Sequence, residues 1–148
     1  MKTSIQIFLP LACAFLSACS TKTVFVPSVQ TAEAAELEAK LGVFSPSDSY
    51  IIQDVSIDAN FLFVTVQYQA SCSGKDKIEL IGSEQLVSAT VPIRQVKLVI
   101  QANDEDCHEL QSRTLTFRIH ALSGMKVRDF TTDLHISGYR TKMRYVYV

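Results

Sequence analysis

Phe61-Leu62-Phe63-Val64-Thr65-Val66-Gln67-Tyr68 sets Leu62, Val64, Val66 and Tyr68 against Phe63, Thr65 and Gln67, the period-two alternation of a strand with one wet face. The same period returns downstream. Val96, Leu98 and Ile100 alternate with Gln95, Lys97, Val99 and Gln101, and Leu115, Phe117 and Ile119 interleave with Thr114, Thr116, Arg118 and His120. Near the end, Met143, Tyr145 and Tyr147 interleave with Lys142, Arg144 and Val146. Turn residues separate these runs, including Asp58-Ala59-Asn60, Ser73-Gly74, Ser123-Gly124 and Ser137-Gly138. The reading places strands at about 50–57, 61–69, 77–82, 92–101, 111–120, 129–137 and 139–147.

About seven short strands with this patterning predict an all-β fold, an antiparallel β-sandwich over residues 50–148. In layout it resembles the immunoglobulin and fibronectin type III sandwiches. The hallmark residues are missing: the chain has no Trp, and its downstream cysteines fall in expected loops. The resemblance therefore carries no functional residue across.

Upstream the pattern changes. Thr31 to Leu41 is rich in Ala, Glu and Leu, with Thr31 as an N-cap, Glu33 in the first turn, Lys40 in the last and Gly42 as the stop. One short helix is expected over 31–41, with a thin apolar stripe of Ala34, Leu37 and Leu41. It sits in a tether over 19–49, where it either docks on the sandwich or holds it away from a surface. Thr21 to Gln30, with Val24-Phe25-Val26, reads as extended tether or as an added edge strand, and Pro46 within Ser45–Ser49 marks the linker to the main domain.

The first 19 residues carry an address. Lys2 gives a positive start, and Ile5 to Ala18 is apolar apart from Gln6 and Ser17. At roughly 14 residues this run is short of the ~20 that a membrane-spanning helix needs, and Pro10 interrupts it. Leu16-Ser17-Ala18-Cys19 resembles the lipobox of bacterial lipoproteins. That resemblance implies a signal peptide over 1–18, cleaved before Cys19, with diacylglycerol on the Cys19 thiol. Cys13 fits less well, since no leucine stands three residues before it. The three acyl chains that such lipoproteins usually carry imply stable attachment. Ser20, in place of Asp, implies sorting to the outer membrane, with the periplasmic or surface face left open.

Loss of residues 1–18 leaves 130 residues, one domain of ordinary size, with 13 basic and 15 acidic side chains. A net charge of −2 gives no case for nucleic acid as a partner. With Cys19 acylated, Cys72 and Cys107 remain as an even pair in an oxidising compartment and are expected to form a disulfide. Alternating strand directions put their two loops at the same end of the sandwich. Neither sits in a Cys-x-x-Cys motif.

Reactive constellations are weak. Asn103-Asp104-Glu105-Asp106-Cys107-His108-Glu109 gathers carboxylates but lacks EF-hand spacing, so it reads as a solvated turn. His120 and His135, with Asp133, fall on neighbouring expected strands and read as surface residues before they read as metal ligands. Ser71, Ser73 and Ser123 lie in turns, and the sequence has neither Gly-x-Ser-x-Gly nor His-Glu-x-x-His. No catalytic residue, metal or cofactor is assigned, and the chain is not read as an enzyme. The candidate interaction residues are Arg140, Lys142 and Arg144, which share one face of the last expected strand. They suit anionic headgroups, peptidoglycan or an acidic partner, or they blunt an edge strand. Phe61 and Phe63 lie opposite Leu62 and Val64, where they seed a contact or lie under the helix.

The expectation for function is a membrane-attached, non-catalytic envelope protein whose sandwich binds an envelope protein partner. The alternative is a small-ligand or ion-binding lipoprotein that uses the disulfide-pinned loops.

Overall fold

In the computed structural model, residues 36–102 and 107–148 are described, and they form an all-β protein of two mixed sheets. The expected signal peptide over 1–18, Cys19, the expected tether up to residue 35 and Asn103–Asp106 lie outside the described residues. The strands are β1 (Leu37–Glu38), β2 (Lys40–Leu41), β3 (Tyr50–Asp58), β4 (Phe61–Ser71), β5 (Lys77–Val87), β6 (Ile93–Gln101), β7 (His108–Arg118), β8 (Thr131–Ile136) and β9 (Met143–Val146). One sheet has the order β1-β7-β4-β3 and the other β2-β5-β6-β8-β9. The seven long strands fall where alternation placed them, with ends that move by a few residues.

The inward residues of both sheets meet in one core. Leu62, Val64, Val66 and Tyr68 from β4 pack with Val96, Leu98 and Ile100 from β6, Leu115 and Phe117 from β7, Leu134 and Ile136 from β8 and Tyr145 from β9. The buried hydroxyls find acceptors: Tyr145 donates to Asn60 Oδ1 at 2.7 Å and Tyr50 to the Leu98 carbonyl at 2.8 Å. Burial in this core pushes the Tyr68 and Tyr145 phenols up to about 12.

Two expectations are corrected. The sandwich is not antiparallel throughout, because β1 on β7, β2 on β5 and β6 on β8 are parallel pairs. From β3 onward strand direction does alternate along the chain, but over that stretch the chain changes sheet after β4, β6 and β7. β6 and β8 therefore become neighbours with one strand between them in sequence, and that makes them parallel.

The second correction is the helix over 31–41, which is absent from its described part. Residues 37–38 extend along β7 and residues 40–41 along β5, while Ala39 is buried between the two sheets. The Ala39 N–H donates to the Arg118 carbonyl at 2.9 Å and the Gly42 N–H to the Gly82 carbonyl at 3.0 Å. Extended chain thus pairs its backbone with both sheets, whereas a three-residue stripe gave a helix little to bury. The sandwich also begins earlier than residue 50. Beyond Gly42 the chain runs back along β6: Ser47 Oγ accepts from the Ile100 N–H at 2.9 Å, the Asp48 N–H donates to the Ile100 carbonyl at 2.8 Å, and Asp48 Oδ2 accepts from the Ala102 N–H at 2.7 Å. These contacts occupy the part of β6 that the shorter β8 leaves unpaired.

Candidate functional site

The two ends of the sandwich hold the chemistry. At one end β4 and β7 finish side by side, Ser71 opposite His108, and the next residue outward on each strand is a cysteine. Cys72 and Cys107 form the expected disulfide, with Cα atoms 5.6 Å apart, and the Cys72 N–H donates to the Cys107 carbonyl at 3.2 Å. The bond joins adjacent strands of one sheet, while the chain between its cysteines passes through β5 and β6 of the other.

Asp76 organises the turn after Cys72. It accepts from the Ser71 N–H at 3.0 Å, the Ser71 hydroxyl at 2.7 Å and the Tyr68 hydroxyl at 3.4 Å. The Arg113 guanidinium lies over the Tyr68 ring at 5.3 Å, and its Nε is buried without a hydrogen-bond partner. Ser71, one of the serines considered for catalysis, is held by a carboxylate with no histidine in the set. Its hydroxyl helps to fix the turn.

Two open depressions lie near this end. One, of about 160 Å³, is apolar and bordered by Ile51, Leu110 and the Tyr50 and Tyr68 rings. The other, of about 540 Å³, is polar and bordered by Asp48, Ser49, Gln69, Ala102 and His108. Both are open to solvent, and the first borders the core at Tyr68.

Arg140, Lys142 and Arg144 are all exposed, but they do not form a stripe on one strand. β9 begins at Met143, so Arg140 and Lys142 lie in the connection from β8. Arg144 alone is on the edge strand, where its Nε meets Asp133 Oδ1 at 3.1 Å across the β8–β9 pair. Hydrogen bonding to Asp133 raises the Arg144 pKa. The histidines also part. His120 lies in a single 3-10 turn, His120–Leu122, with its ring edge-to-face with Tyr147 and the ring centroids 5.8 Å apart, whereas His135 is on β8. Among the described residues no group of three His, Cys, Asp or Glu side chains can hold a metal. Phe61 packs under the Arg118 guanidinium at 5.7 Å, not under a helix.

The opposite end contains a residue the sequence reading passed over. Arg94 on β6 is 3 % exposed, and its guanidinium faces only backbone carbonyls. Nε donates to Leu122 at 2.7 Å, Nη2 to Ser123 at 3.2 Å, and Nη1 to Ser83 and Glu84. One side chain thereby ties the irregular part of β5, past the register shift after Gly82, to the turn that follows β7. Gly82 makes room for it, since a Cβ there would lie 2.9 Å from Arg94 Cδ and 2.6 Å from a Leu122 methyl. Burial lowers the Arg94 pKa, but a guanidinium stays charged in proteins. A signal was present, because Arg94 is in phase with Val96, Leu98 and Ile100, the inward set.

No helix among the described residues is long and apolar enough to cross a membrane. Comparison with protein-family models, with curated proteins and with solved structures finds no match to this chain.

Proposed function

We propose that the chain is a lipid-anchored cell-envelope protein, acylated at Cys19 and attached to the outer membrane. Its sandwich serves there as a non-catalytic interaction or assembly module. The observation that carries this reading is Leu16-Ser17-Ala18-Cys19 closing a short apolar run. The continuous apolar core and the open depressions at its surface support a module that works through its faces and edges. β3, β9 and the stretch of β7 below its short pairing with β1 are sheet edges suited to a partner's strand or loop.

In this reading the architecture is immunoglobulin-like in a restricted sense. The first, second and fifth long strands, β3, β4 and β7, share a sheet, as in that layout. The parallel β6–β8 pair departs from it.

Fractionation and crosslinking in intact cells test the proposal. The wild-type chain is expected in the outer membrane fraction and crosslinked to an envelope protein, and Cys19→Ala is expected to lose the membrane fraction. A chain that stays in place after Cys19→Ala, or that never crosslinks to protein, contradicts the anchor or the module respectively. The polar depression at Asp48, Gln69 and His108 favours a second reading, a small-ligand-binding lipoprotein. A melting temperature raised by periplasmic extract depleted of protein would favour it.

A further inference from the structure

Apolar side chains that the core does not use gather at the end held by Arg94. Val87, Met125, Val127 and Val148 are there, each about half exposed or more, and Met125 and Val127 reach 58 % and 60 %. The loop reads Met125-Lys126-Val127-Arg128, apolar and basic in alternation, with all four side chains exposed. Among the described residues neither Lys126 nor Arg128 enters an ion pair.

The base of the loop is tied down, so this exposure is built in. Arg94 holds the carbonyls of Leu122 and Ser123, and Thr132 Oγ1 accepts from the Gly124 N–H at 2.9 Å. The Asp129 N–H donates to the Tyr147 carbonyl at 2.8 Å, and the Phe130 N–H closes the tip on the Val127 carbonyl at 3.0 Å. Two apolar side chains and two cations are therefore held outward by hydrogen bonds on both sides of the loop.

These few side chains are far short of the ~20–30 residues a side of a standard protein interface. The patch suits a surface that is already close. Glu36, the first described residue, bonds to Arg118 at 2.6 Å, and Arg118 ends β7 at this same end of the sandwich. Sixteen residues lie between Cys19 and Glu36, which caps their separation at ~60 Å.

We propose that the 125–128 tip docks on the phospholipid bilayer. Met125 and Val127 sit at the boundary of headgroups and acyl chains, and Lys126 and Arg128 meet lipid phosphates. The inference rests on the anchored reading, because acylation at Cys19 keeps the tip near the bilayer and lets a weak contact persist. Asp58, Glu84 and Asp129 lie at the same end, so the attraction is local to the tip and the apolar pair carries much of the contact.

The chain has no Trp, so one introduced indole reports its own surroundings. Full-length acylated protein carrying Val127→Trp, or Lys75→Trp in the Cys72 turn at the other end, is reconstituted in vesicles of phosphatidylethanolamine and phosphatidylglycerol brominated on the acyl chains. Emission from the Val127→Trp indole is expected to fall to about half and shift blue, as burial ~5–10 Å into the interface implies. Emission from the Lys75→Trp indole is expected to stay unchanged. Adding Met125→Asp should remove the quenching, and Lys126→Glu with Arg128→Glu should weaken it, all with unchanged melting temperature. Equal or absent quenching at both positions in protein that floats with the vesicles overturns the docking while leaving the anchor intact. Protein that does not float overturns both.

Discussion

The two ends of this sandwich are closed by opposite means. One carries an exposed covalent bond between neighbouring strands, Cys72 to Cys107, with Asp76 tying down the adjoining turn. The other carries a buried cation, Arg94, that gathers carbonyls from two loops without a carboxylate partner. The disulfide limits the unfolded chain, so its effect depends little on what surrounds it. The guanidinium acts only in the folded state, where every donor needs its acceptor because water is excluded. Redox conditions therefore reach the first end and leave the second alone.

Removing Arg94 should break that second closure with the largest effect. Arg94→Ala leaves its carbonyl partners without the donor, and a loss of about 4 kcal/mol is expected in urea unfolding, with Arg94→Lys recovering only part of it. A cost below about 1 kcal/mol would mean that water replaces the guanidinium.

Cys72→Ser with Cys107→Ser should cost about 3 kcal/mol, somewhat under the ~4 kcal/mol of the chain-entropy estimate for a loop of this length. The same loss should appear on adding a reductant to the wild type and should vanish in the double variant. Combined with Arg94→Ala, the two losses should add, since the sites share no partner.

Alkaline pH probes the core between the ends. Tyr68 and Tyr145 are pushed up to about 12 in the fold, against an ordinary phenol near 10, so the folded state holds protons that the unfolded chain gives up. Stability is full below about pH 10 and falls as pH rises towards 12, by ~2 kcal/mol for each phenol. Tyr145→Phe should flatten part of that fall in a pH series of urea melts.

Smaller effects belong to the surface of the Arg94 end and the β8–β9 edge. Asn60→Ala removes the acceptor of the Tyr145 hydroxyl and a donor to the Val148 carbonyl, a loss of about 1–2 kcal/mol. Asp133→Asn breaks an exposed pair with Arg144 and should change the melting temperature by about 1 °C or less.

Alternation made the long strands legible because most have one buried and one wet face, and the inward sets named from β4, β6 and β7 are in the core; Ile81 and Val99, buried on the other face of β5 and β6, depart from it. Arg94 shows how far that signal extends: its phase with Val96, Leu98 and Ile100 marks it as inward, while its charge sets it apart from that apolar set. The segment from Glu36 to Leu41 misled in the other direction. Its Ala, Glu and Leu content favours a helix locally, and pairing with both sheets overrides that preference at no cost to the backbone. Sheet order was hidden because it depends on which sheet the chain enters after β4, β6 and β7, a choice made by packing between distant residues. Counting cysteines found the disulfide. No local pattern placed β9 at Met143, and so Arg140 and Lys142 were put on a strand that begins after them.

In the proposed function, this sandwich with its two differently closed ends is attached through an anchor at Cys19. Intact-mass and N-terminal peptide mass spectrometry of the protein extracted from cell membranes tests that anchor most directly. The account predicts a mature chain that begins at Cys19 and carries diacylglycerol on the thiol together with an N-acyl group. A chain that retains residues 1–18, begins at another residue, or bears an unmodified Cys19 would contradict it.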